Sequence, residues 1–147
     1  MATTLTDFKR YVFVYGTLRK GQERDIHRLQ PAPVFIGNCQ IYGTLYDLGS
    51  YPGVRLGGLE WVQGEVYQIT PELERQLDEI EEVWPQQTGE YARREVLVLC
   101  AGVALHCLVY EAALLRTLGL RVIESGDWVK RQCEYSDEKM IKISHND

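Results

Sequence analysis

The chain has 147 residues, 45% of them apolar and 25% charged, which is the length of one domain with enough apolar material for an ordinary core and no need of disulfide or metal staples. Its formal net charge of −5 argues against a broad phosphate-binding surface and against attraction to anionic lipid, so neither nucleic acid nor a membrane is an expected partner. No run reaches the roughly eighteen apolar residues of a membrane span, and the first ten residues lack an apolar export core; a cytoplasmic protein is expected, with one domain over residues 8–135 and flexible tails at Met1–Asp7 and Ser136–Asp147.

Tyr11–Tyr15 is the first predicted strand, and it runs into a loop bounded by Gly16 and Gly21. Val12, Phe13 and Val14 favour a pleated, buried backbone. The glycines permit tight turns and close backbone approach, so main-chain N–H groups of the loop could hold a small anionic or carbonyl group; a plain strand exit meets the same spacing. Gly16 and Gly21 match the first half of a phosphate-binding loop, but Gln22 and Glu23 stand where Lys and Ser/Thr are required, which excludes that nucleotide motif. A first helix is predicted over roughly Gln22–Gln30, stopped by Pro31 and Pro33.

Further strands are predicted at Cys39–Leu48, Trp61–Ile69, Tyr91–Cys100 and Val103–Tyr110. The segments 48–53 and 56–59 read as turn-rich connectors and Ala101-Gly102 as a tight hairpin. Thr70 is placed to cap a second helix, with Pro71 at its first position and Glu72 suited to the positive end of its dipole. Strands therefore dominate an α/β (α+β) chain, a sheet or barrel with helices attached. Cys39, Cys100, Cys107 and Cys133 form no metal-spaced or CxxC pattern, so reduced thiols and no metal site are expected. His106 beside Cys107 invites a nucleophile reading, but both lie in an apolar run where a histidine usually packs. Cys100 and Cys107 flank the hairpin, and the pattern leaves open whether the register sets them opposite each other.

Leu73, Leu77, Ile80 and Trp84 recur with helical spacing and form one apolar stripe. On a wheel of about 100° per residue, Glu72, Asp78, Glu79 and Glu82 point well away from it, Glu74 lies roughly 90° from its centre and Glu81 about 70°. Glu81 is then the acid expected to be partly buried, and burial raises a carboxyl pKa towards the range useful to a general base that must return its proton. Position alone leaves open that Glu81 simply ends a solvated acidic face.

The blocks Tyr15-Gly16-Thr17-Leu18-Arg19, Leu45-Tyr46-Asp47-Leu48-Gly49-Ser50-Tyr51-Pro52-Gly53, Gly64-Glu65-Val66-Tyr67, Leu77-Asp78-Glu79-Ile80-Glu81, Tyr91-Ala92-Arg93-Arg94-Glu95-Val96-Leu97-Val98 and Gly126-Asp127-Trp128 follow one another in an order that resembles the gamma-glutamylcyclotransferase-like family. The resemblance covers roughly Tyr11 to Trp128. It implies a mixed fold around a small β-barrel with flanking helices, in which the loop and the acid of the fourth block meet at a cavity in the barrel mouth. It further implies Glu81 as catalytic acid/base, and Tyr15, Gly16, Thr17 and Leu18 as a loop that holds substrate through backbone N–H groups. The implied reaction is attack by the α-amine of a γ-glutamyl group on its own side-chain carbonyl, giving 5-oxoproline and a free amine without metal or cofactor. Arg19 is a further candidate, either neutralising a substrate carboxylate or lying as a surface charge, and so is Tyr91, either donating into the cavity or packing. The alternative is a non-catalytic module of the same fold that binds an amino-acid-like molecule; a pure anion binder would avoid a buried carboxylate. Two departures from the family pattern stand out: Glu82 where glycine commonly follows the acid, and Asp25 near a common asparagine.

Overall fold

Residues 9–83 and 87–136 are described in a computed structural model of the chain. Five strands, β1 (Arg10–Val14), β2 (Val34–Asp47), β3 (Pro52–Ile69), β4 (Tyr91–Cys100) and β5 (Val103–Ala112), form one sheet in the order β2-β3-β1-β5-β4. It is mixed: β1 lies antiparallel to β3 and parallel to β5, and β3 also bridges β5 in parallel at Val54–Glu111. The helices include α1 (Pro71–Ile80) and the single turn α2 (Leu114–Thr117), and residues 131–136 are helical as well. The sheet curls until its two edges meet, since a Cβ on Gly37 of β2 would fall 2.9 Å from Cys100 Sγ of β4. No ladder joins those edges, so the sheet is strongly curved rather than closed, and the expected barrel is corrected to an open one.

Alternation along β1 divides the core in two. Phe13 and Tyr15 enter one apolar cluster with Ile41, Leu45, Val62, Val66, Val109 and Trp128, whereas Val12 and Val14 enter another with Leu18, Ile26, Tyr67, Leu73, Leu77 and Leu108. The period of two puts successive side chains on opposite faces, and α1 covers the second face with Leu73 and Leu77. Thr70 caps α1 as expected, accepting from Leu73 N–H at 3.1 Å with Pro71 behind it. The helix ends in a Schellman arrangement: Glu82 N–H donates to Glu79 O at 3.1 Å and Val83 N–H to Asp78 O at 2.8 Å, with Glu82 at φ 54°. Glycine enters that left-handed position freely, and a glutamate pays steric strain there.

The strand expectations hold, with longer strands at several ends. β3 begins at Pro52, and Leu56–Leu59 is no connector between strands: Gly57 and Gly58 take positive φ inside β3 and carry 57–60 out of the ladder, so that Gly43 pairs with Leu56 while Tyr42 pairs with Trp61. Ala101 and Gly102, both at positive φ, form the two-residue hairpin turn. The register sets Cys100 opposite Val103 and Cys107 opposite Val96, so these cysteines are not partners across the hairpin. His106 is exposed while Cys107 is fully buried, which puts them on opposite faces and removes the nucleophile pair. The predicted helix over Gln22–Gln30 is only a 3₁₀ turn, Ile26–Arg28. Asp25 accepts from Gly21 N–H and His27 N–H, and Thr17 and Leu18 carbonyls accept from Arg24 and Ile26 N–H, so the segment is tied down as a loop. Trp84, the last residue of the predicted stripe, and the predicted tails at Met1–Asp7 and 137–147 lie outside the described residues.

Candidate active site

Where β1 ends, its loop meets the C-terminal end of α1 and the start of β4 around a cavity of about 150 Å³, lined by residues 13–18, Arg24, Tyr51, Pro52, Ile80, Glu81, Glu82, Glu90, Tyr91 and Tyr110. Tyr15, Gly16, Thr17, Leu18, Glu81 and Tyr91, all singled out from the sequence, line this space together. The loop presents a particular set of groups. Its carbonyls are spoken for: Gly16 O accepts from Arg19 N–H at 3.0 Å, Thr17 O from Arg24 N–H at 2.9 Å and Leu18 O from Ile26 N–H at 2.9 Å. The N–H groups of Gly16, Thr17 and Leu18 make no hydrogen bond to any described residue. A turn whose carbonyls are engaged and whose N–H groups are unbonded among the described residues has donors of the type that hold a carboxylate or an oxyanion.

Glu81 is the C-cap of α1, held by its own N–H to Leu77 O at 2.9 Å. It lines the cavity, and its carboxyl has no hydrogen-bond or ion-pair partner among the described residues. Burial pushes its pKa from 4.5 up to about 7; Arg24 pulls it down and Glu90 pushes it up. At neutral pH such a group can both accept and return a proton.

The buried face of α1 is rotated from the apolar stripe. Asp78, expected to point outward, is 7% exposed. It accepts from Tyr110 Oη–H at 2.6 Å and pairs with Arg93 at 2.6 Å. Glu74 takes Arg10 at 2.7 Å and Arg93 at 2.6 Å. Burial would raise the Glu74 pKa, and the two guanidinium groups more than reverse this, leaving it below the ordinary range. Glu74, Asp78 and Glu81 thus share one covered face, which the wheel misplaced because it counted only apolar residues as buried; arginines on β1 and β4 supply the other half of that interface.

The tyrosine hydroxyls are engaged in the walls. Tyr15 Oη donates to Tyr110 O at 2.6 Å and accepts from Val54 N–H at 3.2 Å; Tyr91 Oη donates to Pro52 O at 2.7 Å. Burial raises the pKa of both, so they stay protonated and fix the positions of β1, β3 and β4 relative to one another. Gly16 is required by close approach: a Cβ there would meet Pro52 Cγ at 2.5 Å.

Arg19 does not line the cavity, nor is it a solvated charge. It turns back to pair with Glu65 at 2.7 Å and Asp127 at 2.9 Å, at 12% side-chain exposure, while Lys20 N–H donates to the second oxygen of Glu65 at 2.9 Å. The loop is thereby clamped to β3 and to the segment after α2. The cavity's cation is instead Arg24, which sequence reasoning missed along with Tyr51, Glu90 and Tyr110. Only a correct loop in place of the predicted helix could have indicated Arg24, since a helix would have aimed it elsewhere. Among the described residues no cluster of acids, histidines or cysteines could hold a metal ion, and no described helix is long and apolar enough to cross a membrane.

A family model described as gamma-glutamyl cyclotransferase, AIG2-like matches residues 12–130. A gamma-glutamylcyclotransferase family protein from Escherichia coli, YtfP, is 36% identical over 121 residues, spanning 82% of this chain and 96% of its own. A gamma-L-glutamyl-butirosin B gamma-glutamyl cyclotransferase from Niallia circulans is 29% identical over 140 residues, spanning 94% of this chain and 81% of its own. The crystal structure of an AIG2-like protein from Mus musculus superposes with a TM-score of 0.65 at 28% identity, covering 81% of this chain and 88% of that one. The match to the family model takes in the loop after β1, the helix that ends in Glu81 and the Gly126-Asp127-Trp128 block, and this chain belongs to the gamma-glutamyl cyclotransferase, AIG2-like family.

Proposed function

We propose that the protein cyclises a γ-glutamyl amide to 5-oxoproline and a free amine, with Glu81 as general acid/base and the N–H groups of Gly16, Thr17 and Leu18 as the substrate and oxyanion receptor. The observation that carries this reading is the pairing, in one cavity, of a carboxyl group and a turn of N–H donors that have no partner among the described residues. Family membership supports the reaction class. The nucleophile is tethered to its electrophile, so positioning supplies much of the acceleration.

Glu81 in its ionised form takes a proton from the substrate ammonium. The freed amine attacks the side-chain carbonyl carbon, the new C–N bond closes the five-membered ring, and the loop N–H groups hold the oxyanion. Collapse breaks the original C–N bond as Glu81 returns protons to the departing nitrogen. Of the ammonium's three protons one stays on the ring nitrogen and two end on the released ammonium, so Glu81 finishes as it began. The chain's own residues suffice for these steps.

Incubation with a panel of γ-glutamyl compounds, assayed for 5-oxoproline with and without a strong chelator, tests the reading: product is expected in both conditions, and its dependence on a divalent metal would overturn the mechanism. Thr17→Ala is expected to retain most activity, because the loop acts through its main chain. A loss beyond about tenfold would assign the hydroxyl a role instead.

A further inference from the structure

Resting on the cyclotransferase reading, we propose that the groove formed by Arg24, Arg28, Leu29 and Ile80 is the leaving-group subsite, and that it takes an amine bearing a carboxylate and an apolar side chain. The preferred substrates are then γ-glutamyl amides of apolar amino acids rather than of simple amines.

The groove, about 380 Å³, adjoins the Glu81 cavity, and Arg24 and Ile80 line both. A glutamyl group seated in the smaller cavity must send its amide substituent out through the mouth, and Arg24 stands at the junction. The groove sets two guanidinium groups against one carboxylate, Asp25, whose oxygens are already bonded to Gly21 N–H at 2.7 Å, His27 N–H at 2.9 Å and His27 Nδ1 at 2.7 Å. Arg24 has no ion-pair partner among the described residues, and Arg28 donates only to Glu23 O, at 2.9 Å. Two guanidinium groups with no ion pair among the described residues, in a chain of net charge −5, offer fork-shaped donors to a carboxylate. Leu29 and Ile80, both partly buried, supply an apolar floor between them. Glu90, which lines the cavity and not the groove, accepts from Tyr51 Oη–H at 2.5 Å.

A matched pair of substrates isolates the carboxylate: the γ-glutamyl amide of leucine and that of 3-methylbutylamine, which differ in that group alone. We expect kcat/KM for the leucine compound to exceed that for the amine compound by about tenfold to a hundredfold, the range of a charge-assisted hydrogen bond. Arg24→Gln and Arg28→Gln should each pull this ratio towards one, with Arg24→Lys keeping part of it. A wild-type ratio at or below one overturns the subsite, as does a ratio unmoved by both glutamine variants. Release of 5-oxoproline from neither compound overturns the cyclotransferase reading itself, and the subsite with it.

Discussion

The body of α1 and its C-cap put the same kind of side chain on the same covered face and obtain opposite behaviour. Within the helix Glu74 and Asp78 meet Arg10 and Arg93 at 2.6–2.7 Å, and the Glu74 carboxyl is held below its ordinary pKa. At the C-terminal end Glu81 meets no cation at bonding distance among the described residues, and burial lifts it to about 7. Burial penalises the charged form in both places. What differs is whether an arginine is built in to offset that cost, and the unpaired end is the one that opens on the cavity.

The largest expected effect comes from abolishing the unpaired end. Glu81→Gln should lower turnover of a γ-glutamyl substrate by about 10²–10⁴-fold, while thermal unfolding at pH 8 shows the variant to be more stable by roughly 2 kcal/mol, since the isosteric amide escapes the cost of a buried ion. A variant that is both active and no more stable would place Glu81 in an ordinary solvated setting.

Breaking the paired end should do the reverse. Arg93→Met leaves Glu74 and Asp78 short of a cation, and urea unfolding should report a loss of about 2–3 kcal/mol, discounted from a fully buried pair because Arg93 is a third exposed. Unchanged stability would show the network to be electrostatically idle.

Acid titration separates the two ends directly. Glu81 has a raised folded pKa, so its protonated form contributes stability below about pH 4.5 that is lost as pH rises through about 7. Glu74 has a lowered one, so its contribution is present above about 4.5 and lost as pH falls through the folded value. Both variants should therefore meet the parent in acid and part from it in opposite directions as pH rises, Glu74→Gln losing stability up to about pH 4.5 and Glu81→Gln gaining it between about 4.5 and 7. In catalysis kcat/KM should fall about tenfold per pH unit below about 7, as the base is lost, and a flat profile from pH 5 to 7 would remove Glu81 as that base.

The smallest effect is expected where neither end is touched. Glu82 sits outside the helix at φ 54°, so Glu82→Gly should stabilise by about 0.5–1 kcal/mol with little change in the pH profile. Destabilisation would mean that Glu82 makes a compensating contact.

Much of this was legible in the chain itself. β-branched and aromatic runs fixed the five strands, Ala101-Gly102 fixed the hairpin, and Thr70-Pro71 fixed the start of α1, because each depends on local backbone preference. The ordered blocks pointed to the family, and they singled out Glu81 and the loop at Tyr15–Leu18, whose residues the structure brings to one cavity. Other features were decided only by contacts between segments far apart in sequence. Arg19 was taken from the cavity by Glu65 and Asp127, Arg24 was brought to it by a loop bound to Thr17 and Leu18, and Asp78 was buried by Tyr110 and Arg93. A wheel drawn for α1 alone could not include those partners, since they lie on other strands. Sequence periodicity reports which side chains avoid water, whereas the protonation of a buried acid depends on which cation the fold carries to within a few ångströms of it.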